Sequence, residues 1–410
     1  MSLSKIIELT PDNAAYGGDA IGRLPDGRAV FVPFAIPGER VSIKIVMDKK
    51  KFARGELVEI LDPSPSRVEP RCPHFAECGG CHYQHITYQQ QLLFKQKILQ
   101  DQLERIGRLS SPPVEAVVPS PHQFNYRNQV KFQLDQNGKP GFIRANKRGV
   151  LEINQCHLPE LPLADIWPLL EIDPGSGVSA LGLRLGIQDD VLVALESQHP
   201  FSAEFDIENL PVSVIHHSPG YTEVLAGSEY TLMRVKDRQF RVSGRSFFQV
   251  NTLLAEQMVA DIESALPAHP GMVLELYSGV GLFSAFIAPR ADKLVAIESS
   301  ETASEDFVHN LDQFDNVDLY QGPVEDILPN LSIKPGVVLV DPPRTGLHKK
   351  VIGELIAMQP ELLIYISCDP STLARDSKLL AEGGFVPQKF IPFDFFPQTY
   401  HIETLSLWTR

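Results

Sequence analysis

The strongest constraint on this chain is a series of five short apolar segments in its C-terminal half, separated by stretches of helical pattern. They are Val273–Tyr277, Leu294–Glu298, Val317–Tyr320, Val337–Val340 and Leu362–Ser367. Strands with so little polar alternation are buried on both faces, which requires a parallel sheet with helices above and below it. A helix over about Leu253–Leu266 precedes the first segment. The end of the chain departs from the pattern. Phe390–Phe396 and Thr404–Trp408 are separated only by Pro397–Glu403, too short a stretch for a crossover helix, so this last pair is expected to be antiparallel. The C-terminal domain, residues 241–410, is therefore read as α/β and doubly wound, with an antiparallel last strand.

In open sheets of this kind ligands bind outside the carboxyl ends of the strands, and the residues at those ends carry chemistry. Leu274-Glu275-Leu276-Tyr277-Ser278-Gly279-Val280-Gly281 is a strand running into a glycine turn that brings a ligand close to the backbone. Glu298 ends the next strand and can accept bonds from a ribose diol. Together they suit an adenosine-containing cofactor, but do not separate a nicotinamide dinucleotide from S-adenosylmethionine. Asp341-Pro342-Pro343-Arg344 puts a carboxylate and a rigid turn at the same edge. Ser367-Cys368-Asp369-Pro370 delivers a thiol there, before a helix for which Ser371 or Thr372 offers a capping hydroxyl. A helix N-terminus favours a thiolate. The loop Phe396-Pro397-Gln398-Thr399-Tyr400-His401-Ile402-Glu403 adds two possible bases, His401 and Glu403.

The N-terminal part is built differently. Residues 5–61 read as about five short strands broken by turns at Tyr16-Gly17-Gly18 and Asp26-Gly27, the pattern of a small oligonucleotide-binding-type β-barrel over residues 1–62. Lys44, Lys49, Lys50, Lys51 and Arg54 form a basic patch on it. After the linker Pro63-Ser64-Pro65-Ser66, three cysteines follow as C-x5-C-x2-C, at Cys72, Cys78 and Cys81, with Cys156 a further 75 residues on. Four thiolates suit zinc or an iron–sulfur cluster, and the spacing does not separate the two. His74, His82 and His85 are left as surface or RNA-facing residues. Residues 63–240 are read as a mixed α+β central domain that holds this site; its helix at 88–107, with Leu92, Leu99, Leu103 and Ile106 at helical spacing, is placed against the catalytic domain.

A net charge of −14 argues against indiscriminate coating of nucleic acid, and leaves recognition to a local patch. Five cysteines in a chain with no export signal at its start make a poor disulfide framework. No apolar run reaches membrane-span length. A cytoplasmic monomer is expected.

Taken together, these residues resemble the RNA uracil-5-methyltransferase family, which makes 5-methyluridine with S-adenosylmethionine. The resemblance rests on Phe247-Phe248-Gln249-Val250-Asn251, Leu274–Gly281, Asp341–Arg344, Ser367–Pro370 and Phe396–Glu403, and it covers nearly the whole chain. Tyr277, where many members carry Phe, and Leu282, where some carry a polar residue, are departures. The resemblance implies a Rossmann-like methyltransferase sheet, a TRAM domain for the barrel, and a [4Fe–4S] cluster on Cys72, Cys78, Cys81 and Cys156. It implies Cys368 as the nucleophile toward uracil C6 and Glu403 as the base that removes the C5 proton. It gives Gln249, Tyr277, Gly279, Glu298 and Asp341 to the cofactor, with Asp341 also able to orient the uracil. Phe247 or Phe248 is a candidate surface for base stacking. The partner is structured RNA, with ribosomal RNA favoured over the T-loop of transfer RNA.

Overall fold

A computed structural model describes residues 6–200 and 211–410; Met1–Lys5 and 201–210, which the expected barrel and central region include, lie outside the described residues. Six strands between Ile6 and Asp62 form one sheet. Its two long members, Arg40–Asp48 and Phe52–Asp62, are antiparallel neighbours, and the second also runs parallel to Ala29–Val32. Their inward positions, among them Val30, Val32, Val41, Ile43 and Ala53, make a separate small core.

A second, seven-stranded sheet spans Gln129–Leu134 to Tyr221–Ala226 and closes over Phe132, Trp167 and Leu181. Beyond it, the hairpin Tyr230–Val235/Arg238–Ser243 sends Val235, Phe240 and Val242 into the core of the third sheet. The expected boundary at residue 240 falls inside the second strand of that hairpin.

The third sheet has seven strands: β1 Met272–Leu276, β2 Lys293–Glu298, β3 Val317–Gln321, β4 Val337–Val340, β5 Leu362–Ser367, β6 Val386–Phe393 and β7 Glu403–Thr409. Their order is β3-β2-β1-β4-β5-β7-β6. The first five are parallel, and β7 is antiparallel to both β5 and β6. The last hairpin is thus antiparallel as expected, but its second strand inserts beside β5, which strand spacing along the sequence does not reveal. Side chains alternate cleanly between two cores. Val273, Ala296, Leu339 and Ile364 face one; Leu274, Ile297, Val338 and Leu363 face the other. Successive residues of a strand point to opposite faces, so continuous apolar runs supply both layers.

The helix Thr252–Ala265, capped by Asn251 Oδ1 on Leu254 N at 3.4 Å, covers the first face. The helix Tyr88–Arg105 covers part of the second, with Leu99 and Leu103 in the same core as Leu274 and Trp408. Its buried face also carries Gln91, Phe94 and Lys95, whereas Ile106 is exposed and Leu92 only half-buried. The apolar spacing alone therefore missed the two polar residues that prove most relevant to the site.

Candidate active site

The carboxyl ends of β2, β1 and β4 line up by register. Leu276 pairs with Ile297 and with Val340, so one step further Tyr277 lies between Glu298 and Asp341. Tyr277 N donates to Ile297 O at 2.9 Å, and its φ of +63° turns the chain sharply out of the strand. Gly279 follows at φ +55° and would point a Cβ into open space. Gly281 has no such room: a Cβ there would lie 2.6 Å from Leu311 Cδ1, so only glycine lets this turn pack on the Glu301–Asn310 helix. Glu298 is not simply a free acceptor. Its Oε2 accepts from Gly279 N at 2.9 Å, and Oε1 accepts from Ser299 N and Ser300 N at 2.8 and 2.7 Å. The Ser299 hydroxyl donates to Oε1 as well, at 3.4 Å, so the roughly four acceptor sites of this carboxylate all have a donor from the turn around it. Glu275, which no sequence motif singles out, is buried beneath this turn, accepts from the Ser284 hydroxyl, and is pushed up to about 8 by burial. Burial, with Glu298 nearby, pushes Asp341 up to about 7. Gln249 is buried, and its main-chain oxygen accepts from Asn128 Nδ2 at 2.9 Å.

Cys368 stands at the end of β5 and Glu403 at the start of β7. Ser367 pairs with Thr404 in the antiparallel ladder, so Cys368 and Glu403 oppose each other one step beyond it. Their charges also feel each other. Cys368 is pushed up to about 12, first by burial and then by the carboxylates of Glu403 and Asp341, with Arg344 pulling the other way. Glu403 is buried and raised well above the ordinary carboxylate range by burial and by Asp341. The expected lowering of the thiol by the helix start is therefore outweighed here, because desolvation and two carboxylates act on the same sulfur. The cap itself differs from expectation. Helix Pro370–Glu382 is capped by Asp369, whose Oδ1 accepts from Ser371 N at 2.9 Å and Thr372 N at 3.1 Å. A carboxylate satisfies two free N–H groups at once, which one hydroxyl does not. His401, the other possible base, is pushed down to about 3 by burial and by Arg344, with its ring against Phe396 and Tyr400.

The loop leading to Glu403 is held by remote segments. Gln398, at φ +69°, offers its main-chain oxygen to His82 N at 2.9 Å and Tyr83 N at 3.0 Å, directly after Cys81. Gln91 bonds both the backbone and the side chain of Gln398. Lys95 and Asp394 form an ion pair with both side chains fully buried, and Tyr126 donates to Pro397 O. His85 is buried against Phe34 and Phe75, and the His82 ring packs on Tyr400. These two histidines are thus packing elements between segments and not surface residues, since an imidazole presents an apolar body to aromatic neighbours.

Cys72, Cys78, Cys81 and Cys156 line one cavity of about 580 Å³, together with Arg127, Lys131, Phe247 and Arg344. The cysteine loop is fastened to the central sheet by Gly79 N on Ile143 O at 3.0 Å and Ala145 N on Glu77 O at 2.8 Å. Cys78 Sγ accepts from Gly80 N at 3.4 Å, and Gln84 Oε1 accepts from Cys72 N at 3.0 Å. Among the described residues no group of three or more His, Cys, Asp or Glu side chains is drawn together as a single metal ion would need. Arg344 places this cavity next to the Cys368 edge; the motif made it visible in the sequence without giving it a task. Arg127 had no such signal. The two candidate stacking rings separate: Phe248 is core, whereas Phe247 is 66% exposed at the cavity. Lys44, Lys49, Lys50, Lys51 and Arg54 are all exposed on the first sheet, and Arg54 pairs with Asp19.

A doubly wound sheet with β7 inserted antiparallel between β5 and β6, and a glycine turn after β1, defines the class as a Rossmann-like methyltransferase fold. Comparison with known proteins agrees. A family model described as tRNA (uracil-5-)-methyltransferase matches residues 196–332 and 324–410, and a TRAM domain model matches residues 7–58. An uncharacterised RNA methyltransferase of Synechocystis is 33% identical, covering 97% of this chain and 94% of its own length. One from Aquifex aeolicus is 31% identical, covering 98% of each. The tRNA (uracil-54, C5)-methyltransferase of Pyrococcus abyssi, solved with S-adenosyl-L-homocysteine, shares the fold at a TM-score of 0.76 and 24% identity, covering 98% of this chain and 100% of its own. The chain belongs to the RNA uracil-5-methyltransferase family. Among the described residues no helix is long and apolar enough to cross a membrane.

Proposed function

We propose that this protein methylates C5 of a uridine in structured RNA through a covalent adduct on Cys368, and the placement of Cys368 opposite Glu403 carries the reading. When bound, S-adenosylmethionine supplies a methyl group on a positively charged sulfur. The open space at Gly279, the Glu298 carboxylate beside it and the partly exposed Asp341 suit such a cation. Tyr277 and Gln249 complete the contacts proposed for it. A positive charge at this edge favours the anionic forms of Cys368, Asp341 and Glu403, each of which burial pushes up.

The Cys368 thiolate adds to uracil C6, forming a C–S bond and making C5 an enolate carbon. C5 then takes the methyl group as its bond to the sulfonium sulfur breaks, which leaves a neutral thioether. Glu403 as carboxylate removes the C5 proton, the C6–S bond breaks, and Cys368 leaves as thiolate. Splitting one hard substitution in this way is what nucleophilic catalysis offers. Asp341 can also orient the uracil ring. Phe247 stacks a base, and the target nucleotide leaves its own stack to reach the thiol. The exposed lysines of the TRAM domain hold phosphates.

Cys72, Cys78, Cys81 and Cys156 are proposed to hold a [4Fe–4S] cluster. The fit is one of chemistry: among the described residues four thiols and no carboxylate line the cavity, while Arg127, Lys131 and Arg344 offer positive charge to an anionic thiolate set. The space also exceeds what one ion needs. The division into three domains is part of this reading, with the second boundary placed before the hairpin Tyr230–Val235/Arg238–Ser243 and the Tyr88 helix packed on the catalytic sheet.

Ribosomal RNA is proposed as the target, on the combination of four cysteines with a TRAM domain. The T-loop of transfer RNA is the second reading, favoured by the description of the matching family. The test is to map 5-methyluridine in both RNAs from a deletion strain. One ribosomal position losing its methyl group supports the proposal; loss confined to transfer RNA selects the second reading; no loss in either overturns both.

A further inference from the structure

Tyr16 links the TRAM domain to the catalytic edge. Tyr16 lies in the first turn of that domain, and its hydroxyl donates to Asp369 Oδ2 at 3.1 Å across 353 residues of sequence. Asp369 follows Cys368 directly, and its other oxygen caps the Pro370 helix. Ser367 Oγ accepts from Asp369 N at 3.2 Å. The carboxylate beside the thiol is thus tied at both oxygens. The ring of Tyr16 meets Tyr400 edge-on at 5.4 Å and 89°, on the loop that leads to Glu403. The approach is close, since a Cβ at Gly18 would lie 3.0 Å from His82 Cβ.

We propose that Tyr16 is a positioning residue: its hydroxyl orients Asp369 and with it the turn that aims Cys368, while its ring steadies the loop that presents Glu403. The inference rests on the reading of Cys368 as nucleophile. A hydroxyl bonded to a carboxylate is a charge-assisted contact, and a small misplacement of a reacting group is costly in rate. The groups that act on Cys368 are Glu403 from β7, Asp341 and Arg344 after β4, and Asp369 in its own turn, while Tyr16 in turn feels both Asp369 and Cys368. Without the Tyr16 donor, the Asp369 charge is less offset and opposes the thiolate more strongly. The domain that grips RNA thereby also sets the nucleophile, so the two tasks share one rigid contact.

Tyr16→Phe removes the hydroxyl and keeps the ring on Tyr400. Turnover on RNA at saturating S-adenosylmethionine, and iodoacetamide alkylation of Cys368 followed by peptide mass at fixed pH, are both normalised to cofactor sites counted by calorimetry. The expected result is a kcat about tenfold lower with KM for RNA within about twofold of the parent, and slower alkylation at Cys368. Equal kcat and equal alkylation per cofactor site overturn the inference. So does a loss that lies wholly in KM, or one that vanishes on normalisation. If the parent protein forms no covalent adduct with 5-fluorouridine RNA, the uracil reading fails, while the alkylation comparison still decides the role of Tyr16.

Discussion

Cys81 and Cys368 are both pushed up to about 12, but by different surroundings. At Cys81 burial dominates, and among the charged groups Arg127 favours the thiolate while the neighbouring thiols Cys156 and Cys78 oppose it. Among the described residues no carboxylate lines that cavity. At Cys368 burial comes first again, but Glu403, Asp341 and Asp369 all oppose the thiolate, with Arg344 supporting it. In the cavity the charged neighbour of the thiol is a cation, which favours a thiolate set of the kind proposed to hold a cluster. At the sheet edge carboxylates surround the thiol, so the proposed nucleophile meets more opposition to its anionic form. One residue type thus meets two electrostatic surroundings, because the sheet edge supplies carboxylates and the cavity does not.

The largest effect should come from removing the reactive thiol. Cys368→Ala should lower turnover by at least about 10³-fold, on the scale of losing an enzymatic nucleophile, while calorimetry still finds the cofactor bound; retained turnover would erase the contrast between the two thiols. Glu403→Gln should cost about 10²–10⁴-fold, the usual range for a general base. The same change removes a negative neighbour, so the pH midpoint for alkylation of Cys368 should move down. A midpoint that moves up or stays would show that Glu403 does not act on this sulfur.

At the cavity, Cys81→Ser should abolish broad visible absorbance in protein prepared without oxygen and lower Tm by several degrees, since metal binding couples to folding. Colourless parent protein with stoichiometric zinc would replace the cluster by a structural ion. The smallest effect is expected furthest from both thiols. Replacing Lys49, Lys50 and Lys51 by Ala should weaken RNA binding and reduce the slope of log affinity against log salt by about 0.7–0.9 for each phosphate left without its lysine. An unchanged slope would remove this tip from the RNA interface.

The candidate residues were legible wherever they sit in a local pattern. A cysteine after an apolar run, a glycine turn after another and an acid after a third reach the same edge because parallel strands start and stop in step. The C-x5-C-x2-C run was legible as a local pattern too, whereas the place of Cys156 beside it, 75 residues on, is seen only in the fold. Lys95, buried in a face expected to be apolar, was not, because its partner Asp394 lies 299 residues away. Tyr16 appeared only as part of a turn signal. Glu298 was visible as an acid, but its task of pinning Gly279 was not, since that depends on where a neighbouring strand ends. The capping of the Pro370 helix by Asp369 in place of a hydroxyl is a smaller case, settled by which side chain can bridge two amides.

Local sequence was enough for the parts themselves: a parallel sheet from continuous apolar runs, a small β domain from frequent turns, and a cluster of three cysteines from their spacing. Each follows from residues near one another in the chain. The entry of β7 between β5 and β6 needed the folded chain. That insertion makes Glu403, and not some residue of β6, the neighbour of Cys368. Folding likewise brought His82 and Tyr83 to Gln398, and Tyr16 to Asp369. The reason is physical: strand order and domain docking are chosen by the burial of whole faces against each other, and no local pattern encodes which distant face will be the partner.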